Sequence, residues 1–506
     1  MKKGKKNKNS GVKEELFRSR KAKNGGSSSF DVLYQLSYMS VLAAAGAPRD
    51  RVFELSSQLD CGPAEHFKRV ELTRSKLGYD YARVCHMVGE STEDMQMKSL
   101  LLRFSNSLIS GESEATFLTR EAEAQAKSFE NEYSRKMESL KRWTDAYISL
   151  VLSAVLVVII GSVSSMLWKM EPIVIFALAG ICIVTTAGGV GLLYMMTPKE
   201  LVILNLKEGG SREQKLVKKL AKVLIPVTVI LDILILISGA NFGLVLILTA
   251  ALILPIGFVG AADEKKITKR DAEVGPFLRS LGGVCAAMGT TTKDALSRVG
   301  LDSVLALKAE VSRLHTRLLT GIRARLCWQK FKEETGSELT NRSVNMFYDA
   351  IEVGGDPEQA GYHASLFANR VAMLRASRKT TSTPFRWLCI TMHAAVVALL
   401  VFIIQVISTF GDLVASAEKD MPDTTGAPAM TSFTSFNFSG LSLIHRFVVP
   451  LVLVFTVADA LAPSIVDGGS KYKFLYNLGI TAAISGAALI FLPKVSGMLF
   501  NSLKTS

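Results

Sequence analysis

Catalytic signatures are what this sequence has least of. No GxxxxGK[ST] occurs in it, so it lacks the backbone cradle that a nucleotide-hydrolysing phosphate loop needs. The densest glycine cluster, Gly188-Gly189-Val190-Gly191, lies inside an apolar run, where small residues serve close helix packing. The six histidines, His66, His86, His315, His363, His393 and His445, include no HExxH and no two at metal spacing, which argues against a metal centre. Six cysteines without a CxxC pair point to neither a disulfide framework nor a zinc site. Residues 1–29 hold ten Lys and Arg, two Glu and no apolar run, so they are read as a disordered basic tail rather than a secretory signal. No kinase, cyclase or phosphoacceptor pattern supports a signalling receptor. No cofactor is expected, and the chain is not read as an enzyme.

What the sequence does have is segregation. A mean hydropathy of +0.28 beside a net charge of +14 means that apolar and charged residues sit in different blocks. Seven windows, 146–167, 173–196, 220–238, 242–260, 387–410, 447–466 and 474–492, are long and apolar enough to cross about 30 Å of hydrocarbon, which takes roughly 20 helical residues. The third window contains Asp232, a penalty of about 2.5 to 3.5 kcal/mol near a helix centre that its aliphatic residues outweigh.

Lys and Arg set the orientation, because basic residues resist translocation. The stretch 198–222 carries seven and 262–386 carries twenty, whereas connectors 168–172, 239–241 and 411–444 carry Lys169, none and Lys419. These connectors and the C-terminus are therefore expected outside, with the N-terminus and both soluble blocks in the cytoplasm and the protein in the cell membrane. The fold expected is all-α and polytopic, with about seven transmembrane helices and two repeated helical-bundle domains. In order, these are a tail 1–29, a first soluble domain 30–144, a four-helix membrane block 145–261, a second soluble domain 262–386, and a three-helix membrane block 387–498 with outer loop 411–444.

The soluble blocks carry a weak repeat. Leu42-Ala43-Ala44-Ala45-Gly46 corresponds to Cys285-Ala286-Ala287-Met288-Gly289. Ile109-Ser110-Gly111-Glu112 corresponds to Val353-Gly354-Gly355-Asp356, and Trp143 to Trp387. Gly111 to Gly355 and Trp143 to Trp387 are both offset by 244 positions. Glycine after an apolar run fits a left-handed helix C-cap, so Gly46, Gly111, Gly289 and Gly355 are read as turn glycines. Glu114 to Arg142, with acid-then-base pairs four apart such as Glu123 and Lys127, reads as one long exposed helix entering the first span.

Three intramembrane ionisable residues, Asp232, His393 and Asp459, would be expensive facing lipid. They could line a proton or ion path, making the chain a transporter, or hydrogen-bond between helices. The basic tail 2–23 suits anionic lipid. Nucleic-acid binding is not expected, since the basic stretches lack interleaved aromatics. Asn437-Phe438-Ser439 is an N-glycosylation sequon in the outer loop.

The order of these features resembles the F family of type II secretion and type IV pilus systems, the integral membrane platform proteins, and is most similar to its archaeal branch. The glycine-ended helices, the duplicated soluble block ahead of each membrane block, and Phe117-Leu118-Thr119-Arg120-Glu121-Ala122-Glu123 followed by Tyr133, Leu140-Lys141 and Tyr147 carry the resemblance. It implies a non-enzymatic, dimeric anchor engaged by a hexameric secretion ATPase that drives assembly of pilin-like subunits. Candidate contacts for that ATPase are Lys265, Lys266, Lys269 and Arg270 near the membrane, with Glu112 and Asp356 beside the repeated glycines. Solvated charge and ordinary helix capping are the competing roles for each.

Overall fold

The computed structural model describes residues 28–167, 172–198, 200–204, 210–239, 241–300, 304–420 and 441–504. Asn437, most of the expected outer loop and almost all of the basic tail lie outside the described residues.

The protein is an all-α polytopic membrane protein. Six helices form its first part: α1 (Ser29–Ala44), α2 (Arg49–Ser57), α3 (Ala64–Leu77), α4 (Tyr81–Glu90), α5 (Met95–Ser110) and α6 (Glu114–Leu167). Then come α7 (Pro172–Met196), α8 (Arg212–Ile237) and α9 (Phe242–Met288). A second run of short helices follows, α10 (Thr292–Arg298), α11 (Lys308–Leu319), α12 (Ala324–Thr335) and α13 (Glu338–Glu352), before α14 (Pro357–Asp420), α15 (Leu441–Asp467) and α16 (Lys473–Lys504). Seven of these, α6, α7, α8, α9, α14, α15 and α16, are long and apolar enough to cross a membrane.

The repeat is sharper in the structure than in the sequence. Helices α2, α4, α5 and α6 start at Arg49, Tyr81, Met95 and Glu114; α10, α12, α13 and α14 start 243 positions later, at Thr292, Ala324, Glu338 and Pro357. Three pairs of left-handed glycines keep the same spacing: Gly46 (φ 84°) and Gly289 (φ 58°), Gly78 (φ 66°) and Gly321 (φ 78°), Gly111 (φ 75°) and Gly354 (φ 85°). Each reverses the chain after a helix with a backbone conformation that a Cβ would strain. The left-handed residue of the last pair is thus Gly354, one position before the Gly355 read from the sequence. Gly355 is demanded by space instead, since a Cβ there would sit 2.9 Å from the Ala45 Cβ and 2.8 Å from the Ala350 carbonyl oxygen.

The chain divides into two compact units, one of Met1–Ser134, Leu204–Gly210 and Lys266–Leu374, the other of Arg135–Ile203, Ser211–Lys265 and Arg375–Ser506. The first unit holds both copies of the repeat. In the first copy Phe53 stacks on Tyr81 (ring centroids 4.2 Å) and on Phe104 (5.4 Å), and Phe104 stacks on Phe117 (5.1 Å). In the second copy Phe331 packs against Phe277 and Trp328, and Trp328 against Phe347. Here α9 and α14 cross at backbone distance: a Cβ on Gly282 would lie 2.3 Å from the Pro357 oxygen, and one on Gly361 2.6 Å from the Leu278 oxygen.

The copies meet along α1 and α13, which run parallel. The Tyr38 hydroxyl donates to Asp349 (2.7 Å), Arg342 donates to Asp31 (3.2 Å), and the Asp356 amide donates to the Ala45 carbonyl (2.8 Å). All three pairs are 311 positions apart, so the two helices advance in step. Arg342 also lies over the rings of Tyr34 (4.5 Å) and Phe30 (4.9 Å) and donates to Glu338. Its desolvation is thereby offset by two carboxylates and two π faces.

In the second unit, glycines set how closely the spans approach. A Cβ on Gly257 would lie 2.2 Å from the Tyr476 amide nitrogen, and one on Gly486 2.7 Å from the Gly243 oxygen, so α9 and α16 pack backbone to backbone. Within the glycine cluster of α7, a Cβ on Gly189 would lie 2.9 Å from the Tyr147 ring. That glycine makes room for the tyrosine.

Candidate functional site

Two polar clusters stand out in the membrane unit. The first is deep within the spans. His393 on α14 and Asp459 on α15 are both fully buried, with Nδ1 and Oδ2 2.9 Å apart. Tyr147 on α6 donates to the other carboxylate oxygen at 3.0 Å. On its far side, His393 Nε2 is 2.9 Å from Ser485 Oγ and 3.2 Å from the Thr481 carbonyl oxygen on α16.

The hydrogen-bond pattern assigns the protons. Thr456 Oγ1 donates to the Val452 carbonyl at 2.7 Å and has no second proton to give. The Ser485 hydroxyl, 2.7 Å from it, is therefore the donor in that contact and must accept from His393. Nε2 thus carries hydrogen, and one further proton lies between Nδ1 and Asp459. The His393–Asp459 pair joins its neighbours through one continuous set of hydrogen bonds. Four helices, α6, α14, α15 and α16, are pinned by it. Burying such a pair is tolerable only when every partner is in place.

Asp232 does not join this network. Its carboxyl meets Thr249 of the adjacent α9 at 3.0 Å, closing the α8–α9 hairpin. The three intramembrane residues are therefore two neighbours and one outlier, not a continuous path.

The second cluster surrounds the short connector between α15 and α16. Arg378 of α14 spends its guanidinium on backbone: Nε donates to the Val466 oxygen (2.9 Å), Nη2 to the Ile465 oxygen (3.2 Å) and Nη1 to the Pro198 oxygen (3.0 Å). It caps the end of α15, where helix carbonyls lack intrahelical partners. Glu264 on α9 accepts from the Ser470 amide (3.0 Å) and from Lys473 (2.8 Å) and pairs with Lys379 (3.2 Å). Lys473 also pairs with Asp467, whose other oxygen accepts from Ser382. The connector comes this close because it carries glycines: a Cβ on Gly468 would lie 2.0 Å from Arg378, and one on Gly469 2.0 Å from Glu264. Beside it, Arg375 donates to the Leu201 oxygen (3.0 Å), and Ser211, which caps α8 through a reciprocal bond with Gln214, donates to Asp263 (2.7 Å).

The residues expected to contact a partner fall into two groups. Lys265, Lys266 and Lys269 are exposed on α9. Arg270 is buried, and its guanidinium is committed to Glu310 (2.8 Å) and the Thr335 oxygen (3.0 Å). Glu112 accepts from Ser107 and Arg120, and those bonds hold its carboxyl below its ordinary value. Asp356 caps α14 by accepting from the Glu358 amide (2.9 Å).

No family model matches the sequence, and no solved structure matches it. Two curated proteins do. The chain is 22% identical over 458 residues to Flagella accessory protein J of Methanocaldococcus jannaschii, covering 86% of this chain and 79% of that protein. It is 21% identical over 459 residues to Flagella accessory protein J of Methanococcus voltae, covering 87% and 79%. The chain resembles these proteins along most of its length.

The sequence reading missed Tyr147, Thr456 and Ser485 as partners of the buried pair, and missed the whole connector cluster. A signal was present for the second: Asp263-Glu264, Arg378-Lys379 and Asp467-Gly468-Gly469-Ser470 all sit at span ends, where charges of opposite sign can pair without entering hydrocarbon. Hydroxyl residues inside spans carry no comparable signal, because most bond to the carbonyl four residues back, as Ser149, Ser153 and Thr185 do for the residues preceding them.

Proposed function

We propose that this chain is the integral membrane platform of an archaellum- or type IV pilus-like machine, a non-enzymatic anchor that couples a cytoplasmic secretion ATPase to assembly of pilin-like subunits. The observation that carries this reading is the similarity to two Flagella accessory proteins J over 86% and 87% of the chain. In it, the unit holding both repeat copies is the cytoplasmic head and the basic N-terminal tail meets anionic lipid. Connectors 168–172, 239–241 and 411–444 and the C-terminus face outward, and the protein works as a homodimer. Exposed Lys265, Lys266 and Lys269 remain candidate contacts for the ATPase.

Ion transport through Asp232, His393 and Asp459 is the competing function. What speaks against it is the separation of Asp232 from the His393–Asp459 pair, and the termination of that pair's hydrogen bonds on backbone carbonyls. Tagged full-length protein should be purified from native membranes and its companions identified by mass spectrometry. Co-purification of a secretion ATPase with pilin-like subunits, and loss of filaments on deletion of the gene, is the expected result. A preparation lacking both, active in liposome ion-flux assays, would transfer the assignment to a transporter.

A further inference from the structure

Helix α8 changes chemistry along a single face. At 3.6 residues per turn, Arg212, Lys215, Lys219 and Lys222 fall within about 80° of one another around its axis. All four are exposed, and none has an ion-pair partner among the described residues. Glu213, the one acid between Arg212 and Lys222, lies off this stripe. Farther along, the same stripe turns aliphatic: Ile230, Ile233 and Ile237 continue it and are 58%, 51% and 79% exposed. The opposite face is closed, with Val217 and Ala221 buried against Ile256 of α9.

Neither the helix nor its neighbour accounts for these bases. Arg212 and Lys215 stand in the first turn, at the positive end of the helix dipole, where a cation costs stability and an anion adds it. The carboxylates on the facing end of α9 are spent elsewhere, Asp263 on Ser211 and Glu264 on Lys473. The bias of basic residues toward one side of a membrane puts charge on that side, but it does not gather the charge on one face above a row of isoleucines. Pro226, one turn beyond Lys222, has no N–H, so the Lys222 carbonyl lacks its intrahelical donor. Water or a headgroup can satisfy that carbonyl and hydrocarbon cannot, which sets the boundary of the bilayer at this turn.

Of the seven candidate spans α8 is the least covered, with 11% of its apolar window buried against 28 to 56% in the others. What lies along the stripe must be anionic beside the bases and hydrocarbon in the turns that follow. A phospholipid has that profile. A soluble protein does not, since it would have to meet the isoleucines inside the bilayer, and a second copy docked here about a two-fold axis would set its own bases against these.

We propose that Arg212, Lys215, Lys219 and Lys222 form a binding site for the phosphate headgroup of an anionic phospholipid in the leaflet nearest Ser211. Its chains run along the helix as far as Ile230, eight residues or about 12 Å beyond Lys222, within the roughly 15 Å of hydrocarbon that one leaflet supplies. The lysine stems lie at the acyl boundary while their ammonium groups reach the phosphate. The site requires that α8 cross a bilayer and is independent of the machine the protein serves.

The test uses full-length protein in nanodiscs of equimolar phosphatidylglycerol and phosphatidylcholine. A photoreactive phenylalanine analogue replaces Leu216, which is exposed beside Lys215 and Lys219, and mass spectrometry identifies the lipid it captures. Phosphatidylglycerol is expected to exceed phosphatidylcholine about fivefold or more, the effect of one base near an anionic surface, and the ratio should fall to near parity in about 1 M salt. The same analogue at Ile160, exposed on α6, should give near parity throughout. Combined Lys215→Gln, Lys219→Gln and Lys222→Gln should abolish the preference, and Lys215→Arg, Lys219→Arg and Lys222→Arg should keep it. Lys68→Gln, Lys76→Gln and Arg298→Gln, which remove the same charge from exposed positions elsewhere, should leave it intact. The salt dependence of the wild-type protein keeps the test valid if the glutamine variant fails to insert. Equal capture of the two lipids at position 216, equal loss in the two glutamine variants, or capture of a second copy of the chain in place of lipid would overturn the site.

Discussion

His393 and Asp459, sixty-six residues apart in the chain, face each other across 2.9 Å with neither exposed to solvent. Because each member satisfies a buried polar atom of the other, removing one leaves the other without that partner. His393→Leu or Asp459→Leu alone should cost about 3 to 5 kcal/mol, while the double substitution should cost much less than the sum. Unfolding in mixed detergent micelles measures this coupling directly. Additive losses would show that the contact has no mutual dependence.

The connector between α15 and α16 gives a sharper contrast between glycines. Gly468 has φ 65° and lies against Arg378, whereas Gly283 in α9 has an ordinary helical φ and nothing within 4 Å of a built Cβ. Gly468→Ala should lower the unfolding temperature and open the connector to protease. Gly283→Ala should be neutral or stabilising by about 0.5 to 1 kcal/mol, the helix-propensity gain. Equal behaviour of the two variants would contradict the packing of Arg378 on the connector backbone.

At the seam between the repeat copies, Arg342→Lys is not a conservative change. A lysine can reach Asp31 or Glu338 but cannot also lay a planar cation on Tyr34 and Phe30. Hydrogen exchange followed by mass spectrometry should accelerate in α1 and α13 together, with α3 and α4 unaffected. Exchange confined to α13 would mean that Arg342 does not join the copies.

Acid should loosen the second copy at α11 and α12. Burial pushes the Glu334 carboxyl up, but hydrogen bonds from Arg317 and Arg313 outweigh it and hold it below its ordinary value. A carboxylate depressed in the folded state contributes stability that is fully present above its unfolded pKa, about 4.3, and is lost as pH falls through the folded value. Glu334→Gln should flatten the stability profile below about pH 5 and leave its shape above pH 6 unchanged. A Gln variant with the full acid-limb slope would place that slope on other carboxylates.

The spans and the all-helical class were legible in the sequence because hydrocarbon thickness imposes a length and a composition that no other constraint mimics. The repeat was half legible. Gly46, Gly111 and Gly289 announced it, but adjacent Gly354 and Gly355 look alike in sequence, and only backbone geometry separates the one that turns from the one that must be small. Asp232, His393 and Asp459 stood out by their cost in lipid. Which of them meet depends on helix rotation and packing, and on the space Gly189 leaves for Tyr147, a relation between helices that no single-sequence periodicity encodes.

Helices α1 and α13 touch through two side-chain pairs, Tyr38 with Asp349 and Asp31 with Arg342, and the backbone bond from Asp356 to Ala45 just past both helix ends keeps the same separation, like teeth on two racks cut to the same pitch. Sliding one past the other by a single residue would misalign all three contacts at once, because every tooth would also turn by about 100°. The nearest alternative fit is a full helical turn away, about 5.4 Å. A slip of less than a turn would therefore cost the three contacts together, which ties the two copies to each other along this seam.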